Sequence, residues 1–380
     1  MRSLLVLVFL VFNSSVVFAA WDLNDVSYLM PLPTSIYSDH MLHLESTGAR
    51  GVLLPAKFLS SIPPLTVINT QDETAKALRV IAVRIDPCFP LPTPQSCQRQ
   101  IRLIWQPLEV GPRNRVQVTD ASLHSFYLLN ETDFKNLMND LSAWKSKFKI
   151  QTQGLPLQIH PAWSRDGDNS VALAEFNGIV LKYAGLQNLM RVTAMVLRGT
   201  GDMWAFQGFT VNQGKLELMR IPRIDRFAQV FVNQAMPSDH FENGQINPAP
   251  AGDDTLNNVI TDSGKFNSGF EDLLRKELRA MYRIEDPKSF NPENTDCVSC
   301  HVSQPARQWI MANRTDLGID NIRQNFSYKN ARYNLSNQSA NLGNTQIIRA
   351  FGYFNSDVAI SQRVINESAE VADSLNLMQQ

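Results

Sequence analysis

The sequence predicts an α+β fold: a strand-rich antiparallel N-terminal lobe with packed helices, followed by a mostly helical C-terminal lobe. Three observations carry that expectation. Up to about residue 129, short apolar runs alternate with polar residues between turn signals. Three further runs follow in quick succession between 191 and 221, joined by short Gly-containing turns as in an antiparallel meander. After residue 269, stretches with apolar residues three and four apart point to helices.

The chain opens on Arg2, an unbroken apolar run from Leu4 to Phe12, and the small-residue stretch Val16-Val17-Phe18-Ala19-Ala20. Val17 and Ala19 occupy the −3 and −1 positions of a secretory cleavage site, so residues 1–19 read as a signal peptide. Nine uninterrupted apolar residues fall short of the roughly twenty needed to span a bilayer. Nothing later is long or apolar enough to cross a membrane, so no transmembrane segment is expected in the mature chain. The expected location is the periplasm or the exterior of the cell.

Residues 20–236 form the expected α+β domain. Leu65–Ile68, Leu78–Ile85 and Gln100–Gln106 alternate as half-buried strands do, and Val116–Val118 and Ser125–Leu129 continue the pattern. Asn130 caps a helix through Phe134, Leu137, Met138, Leu141 and Trp144, and a second helix is expected over 171–189. Strands at 191–197, 203–211 and 215–221 complete the lobe. Residues 237–268, polar and broken by Pro248-Ala-Pro250, read as a loop or linker. The C-terminal lobe spans 269–380, with a helix from Phe270 to Tyr282, a strand over 347–354 and a last helix through Val358, Ile360, Val364, Ile365, Ala369 and Leu375.

Thirty-five Lys and Arg against thirty-six Asp and Glu leave a formal charge of −1, which excludes a strongly basic nucleic-acid binder. The lone Gly199-Thr-Gly201 lies in a hairpin and not at a strand-to-helix turn, so it is no phosphate loop. Asp166-Gly-Asp168 lacks the later Gly and Glu of a calcium loop. No hydrolase signature is present, and no catalytic residue is assigned.

The four cysteines form two close pairs. Cys88 and Cys97 bracket a stiff loop with Pro90, Pro92 and Pro94, and in an exported chain they read as a disulfide. The second pair stands in Asp296-Cys297-Val298-Ser299-Cys300-His301.

Cys-x-x-Cys-His resembles the haem-attachment sequence of c-type cytochromes. The resemblance is confined to residues 297–301. It implies one covalent haem c, with Cys297 and Cys300 bonded to its two vinyl groups and His301 as the proximal iron ligand. Cysteines at i and i+3 share one face of a helical turn, which suits two bonds to one porphyrin. By the same resemblance the C-terminal lobe is cytochrome-c-like, and the c-type maturation machinery and a redox partner are expected. The implied role is electron transfer or redox sensing in a bacterial envelope. Two other readings stay open. In one, a periplasmic or secreted binding protein uses Cys297 and Cys300 as a disulfide or metal site; in the other, a haem enzyme keeps an open distal position.

The sequence does not name the distal ligand. Small c-type cytochromes place an axial Met several tens of residues after the motif, whereas here only Met311 and Met378 follow it. Met236, Met281, His40, His43, His124, His160 and His240 are the other candidates, each with an ordinary core or surface reading. Arg307, Arg314 and Trp309 are candidates for the haem edge.

Overall fold

A computed structural model describes residues 20–67, 69–90, 97–199 and 201–378. The signal-peptide reading of 1–19 therefore lies outside the described residues. In chain order come α1 (Leu23–Val26), β1 (Ser27–Leu29), a small ribbon of β2 (Thr47–Gly48) and β3 (Gly51–Val52), and α2 (Gln71–Ala77). Two long strands follow, β4 (Leu78–Phe89) and β5 (Gln98–Val110), then β6 (Val116–Val118) and β7 (Ser122–Leu129). Helices α3 (Glu131–Lys147) and α4 (Val171–Tyr183) precede β8 (Leu189–Arg198), β9 (Met203–Asn212), β10 (Lys215–Leu218), β11 (Ala228–Val232) and β12 (Gln245–Asn247). The last part holds α5 (Asn257–Thr261), α6 (Glu271–Glu285), α7 (Cys297–Asn313), α8 (Ile319–Phe326), the hairpin β13 (Phe351–Phe354) with β14 (Asp357–Ile360), and α9 (Gln362–Met378).

The expected α+β class, sheet-rich first and helical later, is what the structure shows. One antiparallel sheet runs in the order β1-β4-β5-β7-β8-β9-β11-β12, with β6 beside β5 and β10 beside β9. Side chains alternate between its faces. On one face Ile101, Leu103 and Trp105 of β5 meet Leu123 and Tyr127 of β7, and helix α3 lays Phe134, Leu137, Leu141 and Trp144 into the same core. Asn130 starts that helix by accepting a 2.8 Å hydrogen bond from the Asp133 amide.

The other sheet face carries Arg84, Asp86, Gln100 and Arg102. All four are buried. The C-terminal helices cover that face, and the charges line a cleft between the two layers.

Other expectations shift by a few residues for local reasons. Helix α4 stops at Tyr183 because Ala184 is extended and Gly185 adopts a backbone outside the helical region. The strand expected over 215–221 ends at Leu218, and Leu65 and Thr66 are buried but not in a strand. Val358 and Ile360, expected in the final helix, pair in β14 against β13, and the helix begins at Gln362.

Packing also crosses the lobe boundaries. The first core takes Phe351, Tyr353, Ile365 and Val371 from near the C-terminus, while the second joins Met195, Trp204 and Phe206 of the sheet to α6 and α7. Segment 237–268 is not a free linker. Its Phe241, Ile246, Leu256, Val259 and Ile260 are buried in the second core, too widely spaced to signal a regular element.

Candidate functional site

The cleft between the sheet and the C-terminal layer has a cavity volume of about 210 Å³. Cys297, Cys300 and His301 all line it, on the helical side.

Helix α7 starts where the motif starts, and its first turn is tied down from outside. The Asp296 carboxylate accepts from the Ser299 amide at 2.9 Å and from Gln229 Nε2 at 2.8 Å. The other end of the Gln229 amide, Oε1, accepts from the Val298 amide at 2.9 Å. A buried side chain of β11 thus fastens the motif turn to the sheet. Pro305, one turn after His301, has no N–H to offer the His301 carbonyl, so the helix ladder lacks one bond there.

His301 is held by one nitrogen. Its Nδ1 lies 2.7 Å from the Ile348 carbonyl, which makes that nitrogen the donor and leaves Nε2 as the free lone pair. Nε2 has no hydrogen bond among the described residues. The ring packs against Phe206, centroid to centroid at 4.9 Å. Burial lowers the His301 pKa to about 4 despite the Ile348 bond, so the ring is neutral near pH 7. The next residue, Arg349, pairs with Asp120, which also accepts from Trp204 Nε1 at 2.8 Å.

Cys297 and Cys300 are free thiols, whereas Cys88 and Cys97 are joined as the sequence predicts. Burial pushes both free thiols up, Cys300 to about 11 and Cys297 further, with Asp296 adding to the effect on Cys297. Reactive thiolates of redox motifs need the opposite, a depressed pKa in an electropositive pocket.

The sheet supplies the facing wall in three rows set by strand register. Arg84, Arg102, Phe126 and Arg191 form one row; Ile104, His124, Thr193 and Gly208 form the next; Ser122, Met195 and Phe206 form the third. Asp86 pairs with Arg84 and Arg102, each at 3.2 Å, and Glu367 of α9 pairs with Arg84 at 2.5 Å and with Arg363 at 2.8 Å. Arg191 makes no ion pair or hydrogen bond among the described residues; its guanidinium lies near the rings of Phe89 and Phe126. The Nε atoms of Arg84, Arg102 and Arg191 and Thr295 Oγ1, all in cleft-lining residues, are shielded from water without a partner. Orphaned buried donors of this kind are uncommon unless a ligand completes them.

Among the candidates for a second iron ligand, only His124 lines the cleft. Met281 is fully buried in the second core, and Met311 Sδ faces the Tyr282 hydroxyl and Arg307. Met236 and Met378 are exposed. His160 is enclosed by Tyr28, Trp144 and Trp163, His40 Nδ1 meets the Asp168 carbonyl, and His240 sits between Asp239 and Glu242. His43 pairs backbone to backbone with Arg79, away from the cleft wall. Arg307 and Arg314 are likewise committed elsewhere, to Glu285 and Asp316, and Trp309 is core. Arg84, Arg102, Arg191 and Met195, which do reach the cleft, escaped sequence reasoning; their alternate spacing on strands was the available signal.

Among the described residues no group of three or more His, Cys, Asp or Glu side chains gathers as metal ligands would, and no helix is long and apolar enough to cross a membrane. No family model, no curated protein and no solved structure matches the chain.

Proposed function

We propose that this chain is an exported monohaem protein of c type, serving electron transfer or redox sensing, with its haem in the cleft. One observation carries the reading. The two thiols and the free His301 nitrogen of a single helical turn face one cleft, with the other His301 nitrogen already anchored to a backbone carbonyl. A ligating histidine needs that second bond to fix its tautomer and orientation.

The residues present fit the group. Cys297 and Cys300, kept as thiols, would each add S–H across one vinyl double bond, so sulfur gains a carbon and the proton goes to the neighbouring carbon. His301 would offer its Nε2 lone pair to the iron. The unpaired guanidinium of Arg191 and the orphaned Nε atoms beside it suit the carboxylates of a porphyrin. When bound, the haem supplies a one-electron redox couple. The sheet and Phe206 exclude water from the His301 side. A closed structural zinc site would need ligands that do not converge here. Export through the 1–19 signal and attachment by the c-type maturation machinery belong to the same proposal.

The test is a pyridine haemochrome spectrum on protein exported from a host with that machinery, beside the double variant Cys297→Ala, Cys300→Ala. We expect about one covalent haem per chain in the wild type and none in the variant. Folded wild-type protein without haem would sink the reading. The cleft would then belong to an organic anion recognised by the arginine row.

A further inference from the structure

We propose that His124, on the sheet wall, is the second axial ligand, making the centre a bis-imidazole electron-transfer site closed to exogenous ligands. This rests on the haem reading above and assigns the face of the iron that the sequence left open.

His124 sits mid-strand on β7, between β5 and β8. It lines the same cleft as His301 from the opposite layer, and its ring makes no hydrogen bond among the described residues.

In register with His124 stand Thr193 and then Gly208, with Met219 over the glycine. Phe206, which His301 touches, lies one row on and two strands across from His124. Two strand spacings are about 10 Å. His124 and His301 thus face the cleft from opposite walls.

Two methionines, Met195 and Met219, also line this wall. Met195 is buried in the second core with Trp204 and Phe206. Met219 lays its sulfur over Gly208, 3.6 Å from where a Cβ would stand. Among the histidines other than His301, His124 is the one lining the cleft, and its ring makes no hydrogen bond among the described residues. Two protein ligands on iron favour electron transfer over small-molecule chemistry.

The experiment compares matured holoprotein of the wild type, His124→Ala, His124→Met and Met195→Leu. Covalent haem content is measured first, by pyridine haemochrome, and spin state second, by optical and electron paramagnetic resonance spectra. The assignment expects a low-spin ferric wild type without a methionine-to-iron charge-transfer band, and negligible carbon monoxide binding when reduced. His124→Ala should retain haem, turn largely high-spin and bind carbon monoxide, and added imidazole should restore the low-spin spectrum. His124→Met should gain the methionine band. Met195→Leu should keep the low-spin spectrum, without a methionine band lost. A wild type already high-spin overturns the assignment, as does a low-spin spectrum that survives His124→Ala or a methionine band lost in Met195→Leu. In each of those cases the haem content remains and the haem reading stands. Absence of haem from folded wild type overturns both.

Discussion

The two walls of the cleft are built by different physics. On the sheet wall, backbone register alone sets the rows of Arg84–Arg102–Arg191 and Ile104–His124–Thr193, and no side-chain contact is needed to aim them. On the helical wall, Cys297, Cys300 and His301 depend on a few separate polar contacts. These are Asp296 and Gln229 at the start of α7, the Ile348 carbonyl on His301, and the neighbouring Arg349–Asp120 pair. The first kind of wall fails only when the sheet unfolds. The second can be loosened one bond at a time, and that difference is open to direct test.

The largest effect is expected at Arg349. It is 3% exposed, and its removal strands the Asp120 carboxylate with only the Trp204 indole N–H opposite. Arg349→Ala should cost about 3–5 kcal/mol by urea unfolding. The double change Arg349→Met, Asp120→Asn should recover most of it, since a neutral pair leaves no buried charge. A loss below about 1 kcal/mol would mean that the pair is not what holds segment 348–350 to the sheet.

Next comes the tie between the walls. Burial raises the pKa of Glu367, but Arg363, Arg84 and Arg102 outweigh it and hold the carboxyl at about 2. The folded-state pKa lies below the ordinary value of 4.5, so the unfolded chain binds the proton more readily. The stabilisation is therefore complete above about pH 4.5 and is lost as pH falls toward 2, amounting to roughly 3 kcal/mol. Glu367→Gln should flatten the stability profile in that window. An unchanged acid limb would show that the arginines of the sheet wall are not coupled to α9.

At the sheet edge, the Cys88–Cys97 disulfide closes a loop with a sequence separation of 9 between β4 and β5. Cys88→Ala, Cys97→Ala should lower stability by about 2–3 kcal/mol through the freed loop entropy. Haem content should be unaffected, in contrast to the variant lacking Cys297 and Cys300. Parallel loss of haem would mean that the staple positions Phe89 at the cleft and is more than a constraint on the unfolded chain.

How much of this was legible follows the same division. Periodicity exposed the strands and helix α3, and residue identity exposed the motif. Alternation was the signal for Arg84, Arg102 and Arg191, but it does not tell a solvated face from a cleft wall. An arginine in water and one over Phe126 look alike in sequence. The contacts that aim the motif were invisible, because Gln229 lies 69 residues from Val298 and Ile348 lies 47 from His301. Segment 237–268 misled for the reverse reason: its buried apolar residues have no period to display.

The smallest effect separates charge from hydrogen bonding at the start of α7. Asp296 Oδ2 accepts from both the Ser299 amide and Gln229, while Oδ1 meets Arg223 only at 3.4 Å. Asp296→Asn can keep one oxygen where both donors point, and Asn caps helices about as well as Asp. It should therefore cost about 1 kcal/mol or less. Asp296→Ala removes the cap and leaves two buried donors unpaired, so about 2 kcal/mol is expected there, read by the same unfolding curves. If the Asn variant falls as far as the Ala variant, the carboxylate charge, set against Arg223 and the helix N-terminus, holds the motif turn. The helical wall would then rest on electrostatics, and its stability should weaken with added salt while that of the sheet wall does not.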